Sequence, residues 1–333
     1  MSLTSVLKSN PELCRRLGEL LPASTLPNTQ SLTMRAPPQS ARYSLIGTAF
    51  DYLFRFEIGR RNPSVHRRDW VANRGVALAH LDASDGGKLA LRWPAGVDPD
   101  SLLALADRSL EEAKTAEGHY ATLLEPTSAD VSTIARHSLN LATLDVIYRA
   151  GIIDPSLGFA DPADLDDLVR LWEVIPFDNG MGVCLAENVW LNPTFGRFSI
   201  GIGGADADVV ADTLLIDIKT TKNPQIRPHI PQLLGYAMLA GAYQSQESPE
   251  FPIIESIGVY FARQGTLVAI PLGEVRKNSH YPTVLEELLT HCDESPLTLR
   301  DVRLESAGDP GPRKAPAHRR ETPRDQSRTK PHK

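Results

Sequence analysis

The spacing of hydrophobic positions changes along the chain, and with it the elements it predicts. In the first half apolar residues recur at helical intervals. Asn10 to Leu21 reads as a short amphipathic helix followed by a Pro, Ser and Thr-rich connection. From Ser44 to Gly59, Leu45, Ala49, Tyr52, Leu53 and Phe56 form one stripe. Asp100 or Ser101 can cap a helix running to about Leu124, and Ser128 one that ends at Gly151 with Arg149 in its last turn. Asp161-Pro162, a cap with proline at the first helical position, starts a helix to about Val174. Residues 77 to 93 read as a strand pair around Asp85-Gly86-Gly87.

From Arg197 onward the pattern becomes that of strands. Arg197 to Ile202 reads as a first strand, then 207–211 and 214–219, a helix from Pro231 to Tyr243, and a hairpin of Ser256–Phe261 with Thr266–Ile270 around Arg263-Gln264-Gly265. If Asp212-Thr213 is a two-residue turn, the middle strands pair Ala211 with Leu214, Val210 with Leu215, Val209 with Ile216 and Asp208 with Asp217. One face then carries Ala207, Val209, Ala211, Leu214, Ile216 and Ile218, and the other carries Asp206, Asp208, Asp217 and Lys219 near its open end. Opposed like charges repel. A divalent cation such as Mg2+ or Mn2+, which favours hard oxygen ligands, gives such a pair a purpose. Asp-Thr is not a favoured turn pair, and a one-residue slip would separate the acids.

Composition narrows the classes. The 333 residues are 41% hydrophobic and 23% charged, ordinary for a globular chain with a substantial core. No apolar run is long enough for a membrane helix, and the first residues lack a secretory leader, so a cytoplasmic protein without membrane contact is expected. Cys14, Cys184 and Cys292 are too scattered for a disulfide framework, a zinc cluster or a four-cysteine iron–sulfur cluster. Net charge is −6, yet Ser306 to Lys333 holds eight Lys or Arg against three acids. This Pro, Arg, Lys and Ser-rich tail is expected to be disordered and can hold phosphate backbones without reading sequence.

Asp208, the triplet Asp217-Ile218-Lys219 and the downstream Gln232-x-x-x-Tyr236 resemble the PD-(D/E)XK nuclease superfamily, in particular its RecB-like branch. The strong part of the resemblance covers about residues 200 to 265. Gly47-Thr-Ala-Phe-Asp51 matches the branch's N-terminal helix motif only loosely. The resemblance implies an α/β fold with a restriction-endonuclease-like core, a mixed sheet flanked by helices, beside a mostly helical N-terminal half and the basic tail. It divides the chain into a helix and linker (1–40), a helical region packed on or contributing to the core (41–195), the core (196–300) and the tail (301–333).

It also implies roles. Asp208 and Asp217, the main-chain carbonyl of Ile218, and Asp51 would hold Mg2+ or Mn2+, with Glu187 a weaker competitor for the last place. Lys219 would position the attacking water or stabilise the pentacovalent phosphate, and Gln232 would stand near the metal or scissile phosphate. Tyr236, Arg227 and His229 are candidates for DNA contact. The expected activity is hydrolysis of DNA phosphodiesters in repair, recombination or defence against foreign DNA, with a protein partner left open. Two rivals stand beside it: a DNA-binding or scaffolding module of the same fold that does not cut, and a metal-dependent transferase using Asp206-Ala-Asp208. No Gly-rich phosphate loop or Walker lysine supports the transferase, or a helicase motor.

Overall fold

The computed structural model describes residues 2–176, 183, 186–294 and 313–314. It is an α/β protein. Helices α1 (Leu3–Ser9), α2 (Pro11–Glu19), α3 (Tyr43–Arg61), α4 (Val71–Ser84), α5 (Pro99–Tyr120), α6 (Ser128–Ala150) and α7 (Pro162–Glu173) fill the first half, with the two-residue strand β1 (His66–Arg67) among them. Then come β2 (Val189–Leu191), α8 (Gly196–Gly201), β3 (Val209–Ala211), β4 (Leu214–Lys219), α9 (Ile230–Gln246), β5 (Ser256–Phe261), β6 (Thr266–Pro271), α10 (Gly273–Lys277) and α11 (Tyr281–Glu294).

The strands form one mixed sheet in the order β6-β5-β4-β3-β2-β1. β4 runs parallel to β5, and β1 to β2; the other pairs are antiparallel. Alternation along each strand supplies two cores. Val209, Ala211, Ile216 and Ile218 face the cluster built by α3 to α7. Val210, Leu215, Ile257 and Val259 face the cluster built by α1, α2, α8, α9 and α11. The sheet is therefore covered on both sides, and its chemistry is confined to strand ends. Among the described residues no helix is long and apolar enough to cross a membrane.

Three sequence readings are corrected. Residues 77 to 93 are not a strand pair. α4 continues to Ser84, Gly86 and Gly87 take positive φ, and the buried Asp82 carboxylate ties down the following loop by accepting from Leu89 N and Trp93 Nε1, each at 2.8 Å. Arg197 to Ile202 is not a strand but lies in and just after the short helix α8; Phe195 N–H donates to Ser199 Oγ at 2.7 Å and holds its first turn. The sheet position beside β3 belongs to β2 instead. Asn10 lies between two helices, its side chain accepting from Leu13 N to start α2. α1 and α2 pack on α9, so the first residues belong to the second core. The basic tail and Cys184 lie outside the described residues except for Arg313–Lys314, a strand β7 antiparallel to β1.

Candidate functional site

β3 and β4 are joined as expected at Asp212-Thr213, with the pairs Ala211–Leu214, Val210–Leu215 and Val209–Ile216. Asp212 adopts the left-handed conformation (φ 49°) that the tight turn needs. Its carboxylate accepts from Asn188 N at 2.9 Å. Beyond Val209–Ile216 the pairing stops, so Asp208 and Asp217 are not cross-strand partners. Alternation also breaks there: Ala207 packs in the α9-side core rather than with Val209. Asp208 bridges the opened strands through its side chain, which accepts the Ile218 N–H at 2.6 Å. On its other edge β4 continues pairing with β5, Asp217 beside Val259 and Lys219 beside Phe261.

α3 brings Asp51 to this opening. The approach is close because Gly47, one turn earlier, has no side chain; a Cβ there would stand 3.2 Å from Thr220 Oγ1, just past the end of β4. Asp51 pairs with Arg55 on the next turn through Oδ2. Its other oxygen, Oδ1, is buried with no hydrogen-bond partner among the described residues. Lys219 Nζ stands 2.7 Å from Asp217 Oδ2. Asp206, expected on the same face as Lys219, pairs instead with Arg149 at 3.3 Å.

These groups perturb one another. Burial pushes the Asp208 carboxyl well above the ordinary carboxylate range, and the nearby Asp51 and Asp217 push it further. Burial likewise raises Asp51, against the pull of Arg55 and Arg149. Burial works to lower the Lys219 ammonium, but Asp217, Asp208 and Asp51 outweigh it and hold the group above its usual value. Lys219 is therefore a fixed cation.

Gln232 and Tyr236 share a face of α9, with Gln232 Nε2 donating to Tyr236 Oη at 2.9 Å. Tyr236 is a core residue, packed near Phe195. Burial, then Asp206 and Asp217, raise its hydroxyl pKa, so that hydroxyl faces the acids while the ring stays out of solvent. His229 is partly buried and its imidazole is lowered by burial and then by the Lys219 charge. Arg227 is exposed on the turn before α9. Glu187 is exposed and Ile218 buried. The structure thus draws Asp51, Asp208, Asp217, Lys219, His229 and the Gln232–Tyr236 pair into one region.

Sequence reasoning missed three members of it: Asp145, Arg149 and Arg55. Asp145 on α6 is buried, accepts from Tyr52 Oη at 3.1 Å and binds Arg149 Nε at 2.5 Å. Burial raises its carboxyl above the ordinary range. Both Asp51/Arg55 and Asp145/Arg149 are acid-then-arginine pairs four residues apart on a helix. That spacing was readable, but it usually marks a solvated helix face.

Compared with protein-family models, curated proteins and solved structures, the chain matches none. Its own donor set must then decide what the site can hold. Among the described residues no group of three or more His, Cys, Asp or Glu side chains is arranged to hold a metal ion. Mg2+, however, is commonly bound through one or two carboxylates and keeps several waters. Asp51 Oδ1 is such a carboxylate oxygen, buried without a hydrogen-bond partner.

Proposed function

We propose that the chain is a metal-dependent nuclease that hydrolyses DNA phosphodiester bonds, built on a restriction-endonuclease-like core of the RecB-like PD-(D/E)XK kind. The observation that carries this reading is the meeting of Asp51, Asp208 and Asp217, from three separate segments, around Lys219, with Asp51 Oδ1 buried and unpaired. Such an arrangement is costly for folding alone, since buried like charges oppose it.

Asp208, Asp217 and the Ile218 carbonyl, with Asp51, would hold Mg2+ or Mn2+. Bound there, the ion supplies charge neutralisation for the phosphate and a lowered pKa for its water. Lys219, kept cationic by its three acidic neighbours, stabilises negative charge developing on the phosphate rather than acting as the base. Asp208 ties the opened strand ends together through the Ile218 N–H. Gln232 orients the Tyr236 hydroxyl toward the acids. Arg227 and His229, on the turn before α9, and the basic tail provide backbone contacts independent of base sequence. Repair, recombination and defence against foreign DNA all use this chemistry.

The test compares the wild type with Lys219→Ala on linear and closed-circular DNA in Mg2+, Mn2+ or EDTA. Metal-dependent cleavage reduced roughly 100-fold or more in the variant is expected, the scale of removing one transition-state charge donor. Wild-type protein that binds DNA and metal but cuts neither substrate would reassign the fold to binding alone.

A further inference from the structure

Arg149 is not among the groups that the nuclease reading employs. It closes α6 one residue before Ala150, and its side chain is half exposed (49%). Its base is fixed: Nε binds the Asp145 carboxylate at 2.5 Å, and that carboxylate is itself buried and held by Tyr52 Oη. Its far end is not. Nη2 reaches Asp206 Oδ2 at only 3.3 Å, long for a charge-assisted hydrogen bond, and Asp206 is itself part-exposed. Asp206 lies two residues before Asp208, and Tyr52, which holds Asp145, follows Asp51, so the outer end of the fork lies beside the acid cluster.

An arginine anchored at Nε whose outer nitrogens are held by one long contact is preorganised for a ligand with two anionic oxygens, since guanidinium donors match the two non-bridging oxygens of a phosphodiester through two parallel hydrogen bonds. Asp206 is then the group the ligand displaces. We propose that Arg149 is the phosphate-binding arginine of this site, holding a backbone phosphate of the DNA, with Asp206 as its competitor when DNA is absent. This rests on the nuclease reading for the identity of the ligand.

The experiment is fluorescence anisotropy of a labelled DNA oligonucleotide with the full chain in EDTA, so that neither metal nor cleavage enters. Asp206→Asn, which leaves the Asp145–Arg149 pair intact, should tighten binding several-fold. Arg149→Lys keeps a charge beside Asp145 but lacks the fork, and should weaken binding about 10-fold. The combination decides the matter: in the Arg149→Lys background the gain from Asp206→Asn should vanish. A gain that persists undiminished there is general loss of negative charge, and overturns the assignment, as does the absence of any gain in the single variant. Circular dichroism on each variant identifies loss of fold, and Arg149→Gln takes the place of Arg149→Lys in the combination if the lysine variant unfolds. Wild type that cuts DNA but fails these comparisons leaves the nuclease standing without Arg149; wild type that neither binds DNA in EDTA nor cuts it in Mg2+ removes both.

Discussion

At the scale of single residues, the site is held in a state that opposes folding. Asp208 is buried among Asp51 and Asp217, and its raised carboxyl means the folded chain holds a proton there that the unfolded chain has released. Stability therefore falls as pH rises from the ordinary carboxylate value through the raised one, with the native state binding more protons over that window. Asp208→Asn keeps the shape and an acceptor for the Ile218 N–H but removes the charge. In metal-free protein it should raise the thermal midpoint, with a gain near zero at pH 4 that grows toward pH 8. Differential scanning calorimetry across pH checks this; a gain that is flat with pH would mean the acids do not repel. Asp208, Asp217 and Lys219 were legible because their chemistry lies in neighbouring residues of two short strands. Asp145, Arg149 and Arg55 were not, because only tertiary packing turns a common helix-surface pair inward.

At the scale of elements, close approach decides which helices can deliver side chains. Gly75 on α4 lies against α6: a Cβ there would stand 2.1 Å from the Leu144 carbonyl oxygen, which is main chain and cannot step aside. Gly75→Ala should cost about 1–3 kcal/mol by forcing α4 from α6. Gly47→Ala meets only the Thr220 hydroxyl at 3.2 Å and should cost well under half of that. Urea titration of the two variants makes the comparison, and equal losses would contradict the packing described. The elements themselves were partly readable. The β3–β4 register followed from alternation and a two-residue turn, and α3, α6 and α7 from their stripes and end signals. Arg197–Ile202 alternates like a strand, yet a left-handed Gly196 and the Ser199 hydroxyl wind it into a helix. Asp85-Gly86-Gly87 has the composition of a hairpin turn, but the helical stripe before it runs on to Ser84, so the glycines end a helix.

At the scale of the whole molecule, a buried cation ties α7 and the N-terminal connection to the strand ends. Arg263, in the turn between β5 and β6, makes a two-pronged pair with Asp167 of α7 at 2.8 and 3.1 Å. It also donates to the Thr220 carbonyl after β4 and to the Ala36 carbonyl of the N-terminal connection. Both charged side chains are almost wholly buried (1% and 0% exposed). Removing one partner strands the other, so Arg263→Met should cost about 3–5 kcal/mol, and Asp167→Asn added to it should recover part of the loss. Chemical denaturation of the single and double variants measures this; additive losses would show that the pair does not couple the layers. This tie was invisible in the sequence, where Arg263 read only as part of a turn.

The parallel pairing of β4 with β5 has a kinetic consequence. β5 reaches its place only after α9 has crossed the sheet, and Asp51 reaches the strand ends only when α3 docks from the other half of the chain. Loop closure on that scale makes folding slow and leaves the acid cluster among the last features assembled. In a stopped-flow refolding experiment Mn2+ added at the start should leave the main folding rate unchanged and slow only unfolding, because a ligand set that forms after the rate-limiting step stabilises the native state without touching the barrier to reach it.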